Sequence, residues 1–246
     1  MNLLPTMRAV IDRRILVNYR VERRVAEAAL PHPFRPRLVE GYAIGGICLI
    51  RLTEVRPSGL PRWAGVASEN AAHRIAVEWT GPAGDGHGVY VPRRDTTSRL
   101  STLIGGRLFP GEHHRAAFTV DERGGSYHVG FRSIDGTAAV SIDASEAAQP
   151  TPGSVFATVD AASDFFRQDS LGYSQTSREG RYDGIELDAH SWNLVPLAVD
   201  AVQSSFFEDA SRFPPGSVTF DSAFLMRQID ADWRAQPDLV GVARPA

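Results

Sequence analysis

Apolar residues along the chain recur mostly at every second position, a spacing that is typical of β-strands rather than helices. In the first such segment, residues 11–21, the apolar positions are Ile11, Ile15, Val17, Tyr19 and Val21. Further strands are predicted at residues 42–55, 69–79, 89–92, 114–121, 126–133, 137–142, 171–176, 180–190 and 218–226. The turn sequences RGG and DG between residues 121 and 137 predict hairpins, because glycine adopts the backbone conformations that tight turns need.

Helical patterns are short and few. The segment ERRVAEAAL at residues 22–30 predicts a helix that ends before Pro31 and Pro33, and further helices are predicted at residues 96–103, 161–168 and 199–207. The tail after Asp230 is expected to be loosely ordered. Residues 145–154 resemble a linker but are too short and central to divide the chain, so we expect one domain over residues 1–246. This pattern predicts an α+β fold that is mainly antiparallel β, a closed or nearly closed β-barrel with a few flanking helices.

Strand alternation also predicts which polar side chains point into the core. In ENAAHRIAVEW, Glu69 and His73 share a face with the large apolar residues Ile75, Val77 and Trp79. Both are therefore expected to point inward. A buried carboxyl has a raised pKa and a buried imidazole has a lowered one, which suits acid–base chemistry near neutral pH.

The segment HHRAAFTVD makes different predictions for two adjacent histidines. His114 shares the apolar face with Phe118, so His114 is expected to point inward and His113 outward, while His128 should lie on the surface. Glu69, His73 and His114 are then expected to project into one barrel interior, which in a barrel of this size can hold a small ligand. The structural alternative is that the inward histidines bond to backbone carbonyls and that Glu69 pairs with an arginine.

Composition excludes several classes of function. The net charge is −3 and no basic stripe is present, so nucleic acid is not an expected partner. No apolar stretch has the length of a membrane span, and the first residues lack the apolar core of a signal peptide, so the expectation is a cytoplasmic protein without a membrane partner.

Two residue types limit the chemistry further. Cys48 is the single cysteine, which excludes an intramolecular disulfide, and its place in the apolar run IGGICLIRL predicts a buried, inert thiol. All 26 basic residues are arginine. Without a lysine, the chain has no side-chain amine that could form a Schiff base with a carbonyl substrate.

Several segments, taken in order, resemble the DUF2071 family of bacterial proteins, within the acetoacetate decarboxylase-like superfamily. They are LPHPFRPRLVEGYAIGGICLIRLTEVR, SENAAHRIAVEW, HGVYVPRRD, GGRLFPGEHHRAAF, SDFFRQDSLGYS and HSWNLVPLAV. The last two depart from the family pattern, because RQDSLGY lacks a Glu-Arg-Tyr and Ser191 stands where a proline would be. The resemblance covers residues 10–227 and implies the barrel fold of the decarboxylases.

The decarboxylase segment G-R-E-x-x-G-x-P-K, whose lysine forms the Schiff base, can be laid on the residues that begin at Gly106. The lysine position then falls on His114, and Glu69 falls near a glutamate that the decarboxylases keep in their pocket. The resemblance therefore implies a substrate pocket with Glu69 and His114 as catalytic acid and base. The residues expected to bind the substrate are His73, Tyr90, Arg107, Tyr19 and Phe118.

Three functions remain open from the sequence. The first is a small-molecule enzyme that uses acid–base chemistry on a carbonyl or polyketide-like substrate, as an isomerase, dehydratase or cyclase, with natural-product biosynthesis as an analogy. The second is a non-catalytic barrel that binds a small ligand, and the third is a metal-dependent enzyme that uses Glu69, His73 and His114. The first two require no cofactor. The resemblance also implies a homo-oligomer, since decarboxylase-like proteins often assemble, and it gives His190 and Trp192 of HSWNL no role beyond packing at a barrel rim.

Overall fold

The computed structural model describes residues 5–81, 84–98 and 111–241. The strands are β1 (Met7–Glu22), β2 (Arg35–Pro36), β3 (Leu38–Val39), β4 (Tyr42–Pro57), β5 (Val66–Gly81), β6 (Gly84–Thr96), β7 (His113–Arg123), β8 (Ser126–Ser133), β9 (Ala139–Glu146), β10 (Leu171–Gln175), β11 (Arg181–Ala189), β12 (Val195–Ser204) and β13 (Val218–Val240). The helices in these ranges are α1 (Arg23–Ala29) and α2 (Val159–Gln168), with a 3-10 turn at Arg62–Ala64.

The thirteen strands of the described residues form one large mixed sheet that closes on itself in two ways. A path from strand to hydrogen-bonded strand that starts at β13 leads back to β13 along two routes. Strands β13, β1, β4, β5 and β6 are neighbours in that order. On one route β7, β8, β9 and β12 connect β6 back to β13. On the other route β10 and β11 make the same connection. The sheet is therefore ring-like, and the wall β1–β4–β5 is shared by both rings.

Both faces of the shared wall are consequently buried. Alternate residues of β1 and β4 that include Ile15, Val17 and Ile47 face a core with β7, β8, β9 and β12. The intervening residues, which include Leu16 and Cys48, face a second core with Phe156 and helix α2. Because a strand that is buried on both faces has no solvent side, polar side chains in the middle of this wall, such as Arg13 on one face and Arg74 on the other, are enclosed by protein.

Helix α2 covers the second core. Thr158 caps its first turn, where the hydroxyl accepts a hydrogen bond from the backbone N–H of Ala161 at 3.1 Å. Its inward face presents Ala162, Phe165 and Phe166, which are buried. This packing places the Phe166 ring over the side chains of the shared wall.

The fold class predicted from the sequence is confirmed, and so are most strands and the helices predicted at residues 22–30 and 161–168. Two element predictions were wrong. Residues 199–207 do not form a helix, because residues 195–204 pair with β9 and β13 as strand β12. Residues 231–240 are not loosely ordered, because they continue β13 to Val240 and pair with β11, while residues 242–246 lie outside the described residues. The helix predicted at residues 96–103 falls mostly outside the described residues.

Of the helices that the structure describes, none is long and apolar enough to cross a membrane.

Candidate functional site

The second face of the shared wall encloses a cavity of about 90 Å³ that carries three arginines. Arg14 comes from β1, Arg74 from β5 and Arg94 from β6, and Cys48 of β4 lies among them. We call this cavity the arginine pocket. The apolar part of its wall consists of Ile50, Ala72, Val89, Val91, Phe166, Ile185 and Leu187. Such a cavity can hold a small molecule that has an anionic end and an apolar body.

Arg74 is the most enclosed of the three arginines, with 3% of its surface exposed. Its Nε donates to the Cys48 sulfur at 3.2 Å and its Nη2 donates to the Asn18 amide oxygen at 2.5 Å. The guanidinium also lies 5.0 Å from the centre of the Phe166 ring. Gly46 makes this position available, since a Cβ on residue 46 would lie 3.1 Å from Arg74 Nη2 and 2.6 Å from the Val17 carbonyl oxygen.

Arg14 lies between the arginine pocket and a wider cleft of about 550 Å³, which we call the outer cleft. Its Nη2 donates to the Cys48 sulfur over a long 3.8 Å contact, and its guanidinium lies 5.9 Å from the Trp192 ring centre. The two cavities share several lining residues, among them Arg14, Phe166 and Asp169. The outer cleft therefore adjoins the arginine pocket.

Arg94 forms the side of the pocket at the β6–β7 pairing, where its partner in register is His113, which is not among the residues that line the pocket. Arg94 Nη2 donates to the Ser174 hydroxyl at 3.5 Å, and burial lowers the pKa of Arg94 to about 10, which leaves it charged at neutral pH. Burial and the Arg94 charge lower the pKa of His113 to about 4, so its ring is neutral. His113, which alternation assigns to the outward face of β7, is partly buried, and its Nδ1 lies 3.2 Å from the Gly111 carbonyl oxygen.

Cys48 is buried, as predicted, but its neighbours are charged. Burial raises the pKa of its thiol, while the charges and hydrogen bonds of Arg74 and Arg14 lower it, and the balance is a pKa below the ordinary thiol value. A thiol in such a cationic environment has a larger thiolate fraction at neutral pH than a free cysteine.

The pocket contains more hydrogen-bond donors than its own residues satisfy. Within residues 5–81, 84–98 and 111–241, four buried guanidinium nitrogens of the three pocket arginines have no hydrogen-bond partner: Arg14 Nε, Arg14 Nη1, Arg74 Nη1 and Arg94 Nε. The buried indole N–H of Trp192 is also without one in these ranges. Because buried polar groups are almost always paired, this concentration of donors is typical of a site that accepts an anion.

Asp169 is the carboxylate that lines the pocket. Its Oδ1 accepts from Arg37 Nη1 at 2.6 Å, whereas its Oδ2 is buried and has no hydrogen-bond partner in the described ranges. Burial raises the pKa of Asp169 to about 6, against the opposing charges of Arg37 and Arg74. The pocket thus contains a carboxyl group that exchanges its proton close to neutral pH.

The outer cleft is formed largely by two of the segments that carry the family resemblance. SDFFRQDSLGYS contributes Phe166, Asp169 and Ser170, and HSWNL contributes His190 and Trp192. His190 Nε2 lies 3.5 Å from an Asp232 carboxylate oxygen. These segments, to which the sequence assigned no role, converge at the entrance of the arginine pocket.

Glu69, which the sequence predicts as catalytic, lies on the opposite face of the wall within a network of ion pairs. Its two carboxylate oxygens each lie 2.6 Å from a guanidinium nitrogen, one of the fully buried Arg13 and one of Arg51. Both arginines also pair with Glu122, at 2.5 Å and 3.1 Å. The alternative in which Glu69 pairs with an arginine is therefore realised, and a catalytic role for Glu69 stays a prediction.

His114 lies on the Ala116 face of β7, with 25% of its side chain exposed. Its Nδ1 lies 2.9 Å from an Asp135 carboxylate oxygen. Hydrogen bonds from Ser133 and Thr137 hold the pKa of Asp135 well below its usual range. A carboxylate that is hydrogen-bonded to one ring nitrogen fixes the orientation of the imidazole. An acid–base role for His114 stays a prediction.

His73 is fully buried, but its surroundings are aromatic rather than polar. Its ring centre lies 4.6 Å from that of Phe206 and 6.2 Å from that of Phe131, and neither ring nitrogen has a hydrogen-bond partner in the described ranges. Burial lowers the pKa of His73 to about 3. In the part of the chain that the structure describes, no group of three or more His, Cys, Asp and Glu side chains is arranged to hold a metal. Glu69, His73 and His114 do not form such a group.

The other predicted binding residues are distributed between separate cores. Tyr19 stacks on Phe207 with ring centres 4.5 Å apart, and Phe118 stacks on Phe131 at 5.3 Å, both in the first core. Tyr90 belongs to an aromatic cluster with Phe34, where burial raises its pKa to about 12. Arg107 lies outside the described residues. A substrate role for these residues stays a prediction.

The overall structure is similar to those of acetoacetate decarboxylase-like proteins. Acetoacetate decarboxylase from Legionella pneumophila aligns with a TM-score of 0.61 and 10% identity, over 95% of this chain and 88% of that one. The enduracididine biosynthesis enzyme MppR, complexed with the condensation product of pyruvate and imidazole 4-carboxaldehyde, aligns with a TM-score of 0.59 and 12% identity, over 98% and 91%. An acetoacetate decarboxylase-like enzyme from Sphingomonas wittichii RW1 aligns at 0.53 and 12%, over 100% and 94%. At these identities the similarity establishes the fold alone.

Among curated proteins, none matches this sequence. The profile of the DUF2071 family, described as an uncharacterized conserved protein, matches residues 8–223. The match includes the strands that carry the three arginines and both segments at the outer cleft. The chain belongs to the DUF2071 family, as its sequence segments predicted.

Proposed function

We propose that the protein is an enzyme that binds a small carboxylate-bearing carbonyl compound in the arginine pocket and acts on it by acid–base chemistry. The observation that carries the proposal is the set of four buried guanidinium nitrogens without protein partners around one cavity. Isomerisation, dehydration or cyclisation would fit this chemistry. A Schiff-base mechanism would not, because the chain contains no lysine.

A carboxylate suits these donors better than a neutral ligand. The planar guanidinium forms paired, charge-assisted hydrogen bonds with the two oxygens of a carboxylate. Three arginines meet one carboxylate, Asp169, and one thiol, Cys48, in the pocket. An anionic ligand would complete this charge balance, and the apolar wall would contact its hydrocarbon part.

Two groups support the acid–base part of the proposal: Asp169, which lines the pocket, and His113, the neighbour of Arg94 in register. Asp169 has a pKa near 6 and an unpaired Oδ2, so it can give or take a proton at neutral pH. The neutral His113 can accept a hydrogen bond or donate one to a developing oxyanion. The predicted pair of Glu69 and His114, on the opposite face of the wall, is the alternative acid–base set.

A structural neighbour adds support for this substrate class. MppR has been captured with pyruvate and with a condensation product of pyruvate. Pyruvate combines a carboxylate with a carbonyl carbon in a molecule small enough for the arginine pocket. It is therefore the first probe for binding.

The binding experiment is isothermal titration calorimetry of pyruvate with the native protein, the Arg74→Met variant and the Arg181→Met variant. Arg181 is a matched control, because it is a partly exposed arginine in an ion pair with Asp238, away from both cavities. A charge-assisted hydrogen bond contributes about 1.5–3 kcal/mol, so Arg74→Met should weaken binding by at least about tenfold. Equal affinity in all three proteins, or no binding to any, would contradict the proposal.

Catalysis is then separated from simple binding by hydrogen exchange. In D₂O, acid–base chemistry next to the carbonyl should replace the methyl hydrogens of pyruvate with deuterium faster than in the absence of protein, which proton NMR measures. Binding without accelerated exchange would favour the second candidate, a barrel that holds a small ligand without reacting with it.

A further inference from the structure

We infer that Cys48 is the nucleophile of the arginine pocket, and that its thiolate bonds to an electrophilic carbon next to a carboxylate held by Arg74 and Arg14. The inference deepens the proposed function and rests on it, because it assigns the covalent partner and narrows the substrate class. That class comprises small carboxylic acids with an electrophilic carbon adjacent to the carboxylate, such as 2-oxo acids.

Two guanidinium groups hold the Cys48 sulfur. Arg74 Nε donates to it at 3.2 Å and Arg14 Nη2 approaches it at 3.8 Å. These contacts favour the charged form of the sulfur, and the thiolate is the nucleophilic form of cysteine. Asp169, the carboxylate that lines the pocket, accepts from Arg37, and Arg74 Nε donates to the Cys48 sulfur instead.

The same two arginines point further donors into the cavity. Arg74 is almost completely buried, and its Nη1 has no hydrogen-bond partner in the described ranges, like Nε and Nη1 of Arg14. A substrate carboxylate bound to these nitrogens would contact the same two guanidinium groups that contact the Cys48 sulfur. In Arg14, Nε and Nη2 share one edge of a rigid, planar group, so the carbon of a carboxylate bound to Nε would lie beside the sulfur that Nη2 approaches.

A small molecule can reach this position. Cys48 and the unpaired guanidinium nitrogens border the arginine pocket, which shares Arg14, Phe166 and Asp169 with the open outer cleft. The thiol itself is only 4% exposed. Cys48 should therefore react faster with reagents that the arginines bind than with reagents that the arginines do not bind.

The proposed step is an addition. The thiolate forms a carbon–sulfur bond with the carbonyl carbon of a bound 2-oxo acid, and the π electron pair of the carbonyl moves to its oxygen. Asp169, which lines the same pocket, supplies the proton that converts this alkoxide into a hydroxyl group. No oxidant, reductant or second substrate is needed, and reversal of the step releases the acid unchanged.

The test compares alkylation by iodoacetate, which carries a carboxylate, with alkylation by the neutral iodoacetamide. In both reactions the sulfur forms a bond to the CH₂ carbon and iodide leaves with the electron pair. Cys48 is the single cysteine, so mass spectrometry of the intact chain follows one site. The quantity compared is the rate constant for iodoacetate divided by the rate constant for iodoacetamide. This ratio for the native protein is divided by the ratio for the urea-unfolded protein, which corrects for the intrinsic reactivity of the two reagents.

The expected result is a native ratio at least ten times the unfolded ratio, with saturation at high iodoacetate and protection by pyruvate. Arg74→Met should remove this preference and Arg181→Met should retain it. Protection of the native protein by pyruvate needs no variant, so the test remains decisive if Arg74→Met fails to fold. The inference is overturned if the native and unfolded ratios are equal, or if native Cys48 resists both reagents.

The outcome is separable from that of the proposed function. If calorimetry shows pyruvate binding that depends on Arg74 while iodoacetate shows no preference, the anion site stands and the sulfur is only a buried counter-ion. If pyruvate does not bind at all, the proposed function fails first.

Discussion

Replacement of His73 by leucine should remove a source of acid sensitivity from the fold. His73 is fully buried among Phe131, Phe206 and Phe207, and its pKa falls from 6.5 to about 3 because burial disfavours the charged ring. Below pH 6.5 the unfolded chain binds a proton at this position that the folded chain does not bind. The stability due to the neutral ring is therefore fully present above pH 6.5 and declines as the pH falls towards 3.

The magnitude follows from the two pKa values. Each pH unit in this window corresponds to about 1.4 kcal/mol, so the free energy of unfolding should fall by about 2 kcal/mol between pH 7.5 and pH 5 through His73 alone. Leucine has a similar volume and does not titrate. The His73→Leu variant should accordingly lose about 2 kcal/mol less than the native protein over the same interval.

Urea denaturation followed by intrinsic fluorescence at pH 7.5, 6.5, 5.5 and 5.0 measures this difference. The matched control is His128→Leu, because His128 has 46% of its side chain exposed. The reasoning is refuted if the native protein and His73→Leu lose stability in parallel, since the His73 ring would then titrate alike in the folded and unfolded chains.

Three further predictions concern the two faces of the shared wall. Calorimetry of the native protein should show tighter pyruvate binding as the pH falls through 6, by roughly 1 kcal/mol or about fivefold, because protonation of Asp169 removes a negative charge near Arg74. Asp169→Asn should flatten this pH dependence. Gly46→Ala should lower the free energy of unfolding in urea by about 1–3 kcal/mol and weaken pyruvate binding, because the new Cβ would contact a backbone oxygen and displace Arg74. Arg13→Met should lower the free energy of unfolding by about 3 kcal/mol, because it removes a partner from the largely buried Glu69 carboxylate, and pyruvate affinity should not change.

The fold was accessible from the sequence because its strands keep a regular alternation. In β5, the pattern that pairs Glu69 and His73 with large apolar residues correctly predicted a buried His73. In β7 the same argument was less decisive, because His113 and His114, which lie on opposite faces, are both partly buried. Alternation assigns one face of a strand to solvent by default, whereas Gly172 of β10 and Ile185 of β11, which lie far away in the sequence, line the arginine pocket together with Arg94 of β6.

The arginine pocket was missed for the same reason. Arg14 and Arg74 occupy the polar positions of β1 and β5, which a one-sided sheet would expose to water. One sequence signal did point to the second core: residues 43–50 of β4 are almost continuously apolar, which is typical of a strand buried on both faces. The partner that encloses the arginines could not be predicted, because it depends on pairings between residues more than forty positions apart.

Element types in the last part of the chain were harder to predict. The sequence VDAVQSSFF has a helical spacing of apolar residues, but pairing with β9 makes residues 195–204 a strand. The polar end of β13 has little alternation of its own and is ordered by β11. In both cases tertiary pairing overrides local preference. One-domain organisation, a cytoplasmic location and a homo-oligomer stay predictions.

A crystal structure of the protein with bound pyruvate tests the central claim most directly. The pyruvate carboxylate should lie in the arginine pocket, within hydrogen-bonding distance of Arg74 Nη1 and an unpaired nitrogen of Arg14, with the carbonyl carbon facing the Cys48 sulfur. Pyruvate bound instead on the opposite face of the wall, beside Glu69 and His114, would contradict it and would restore the acid–base pair that the sequence predicted.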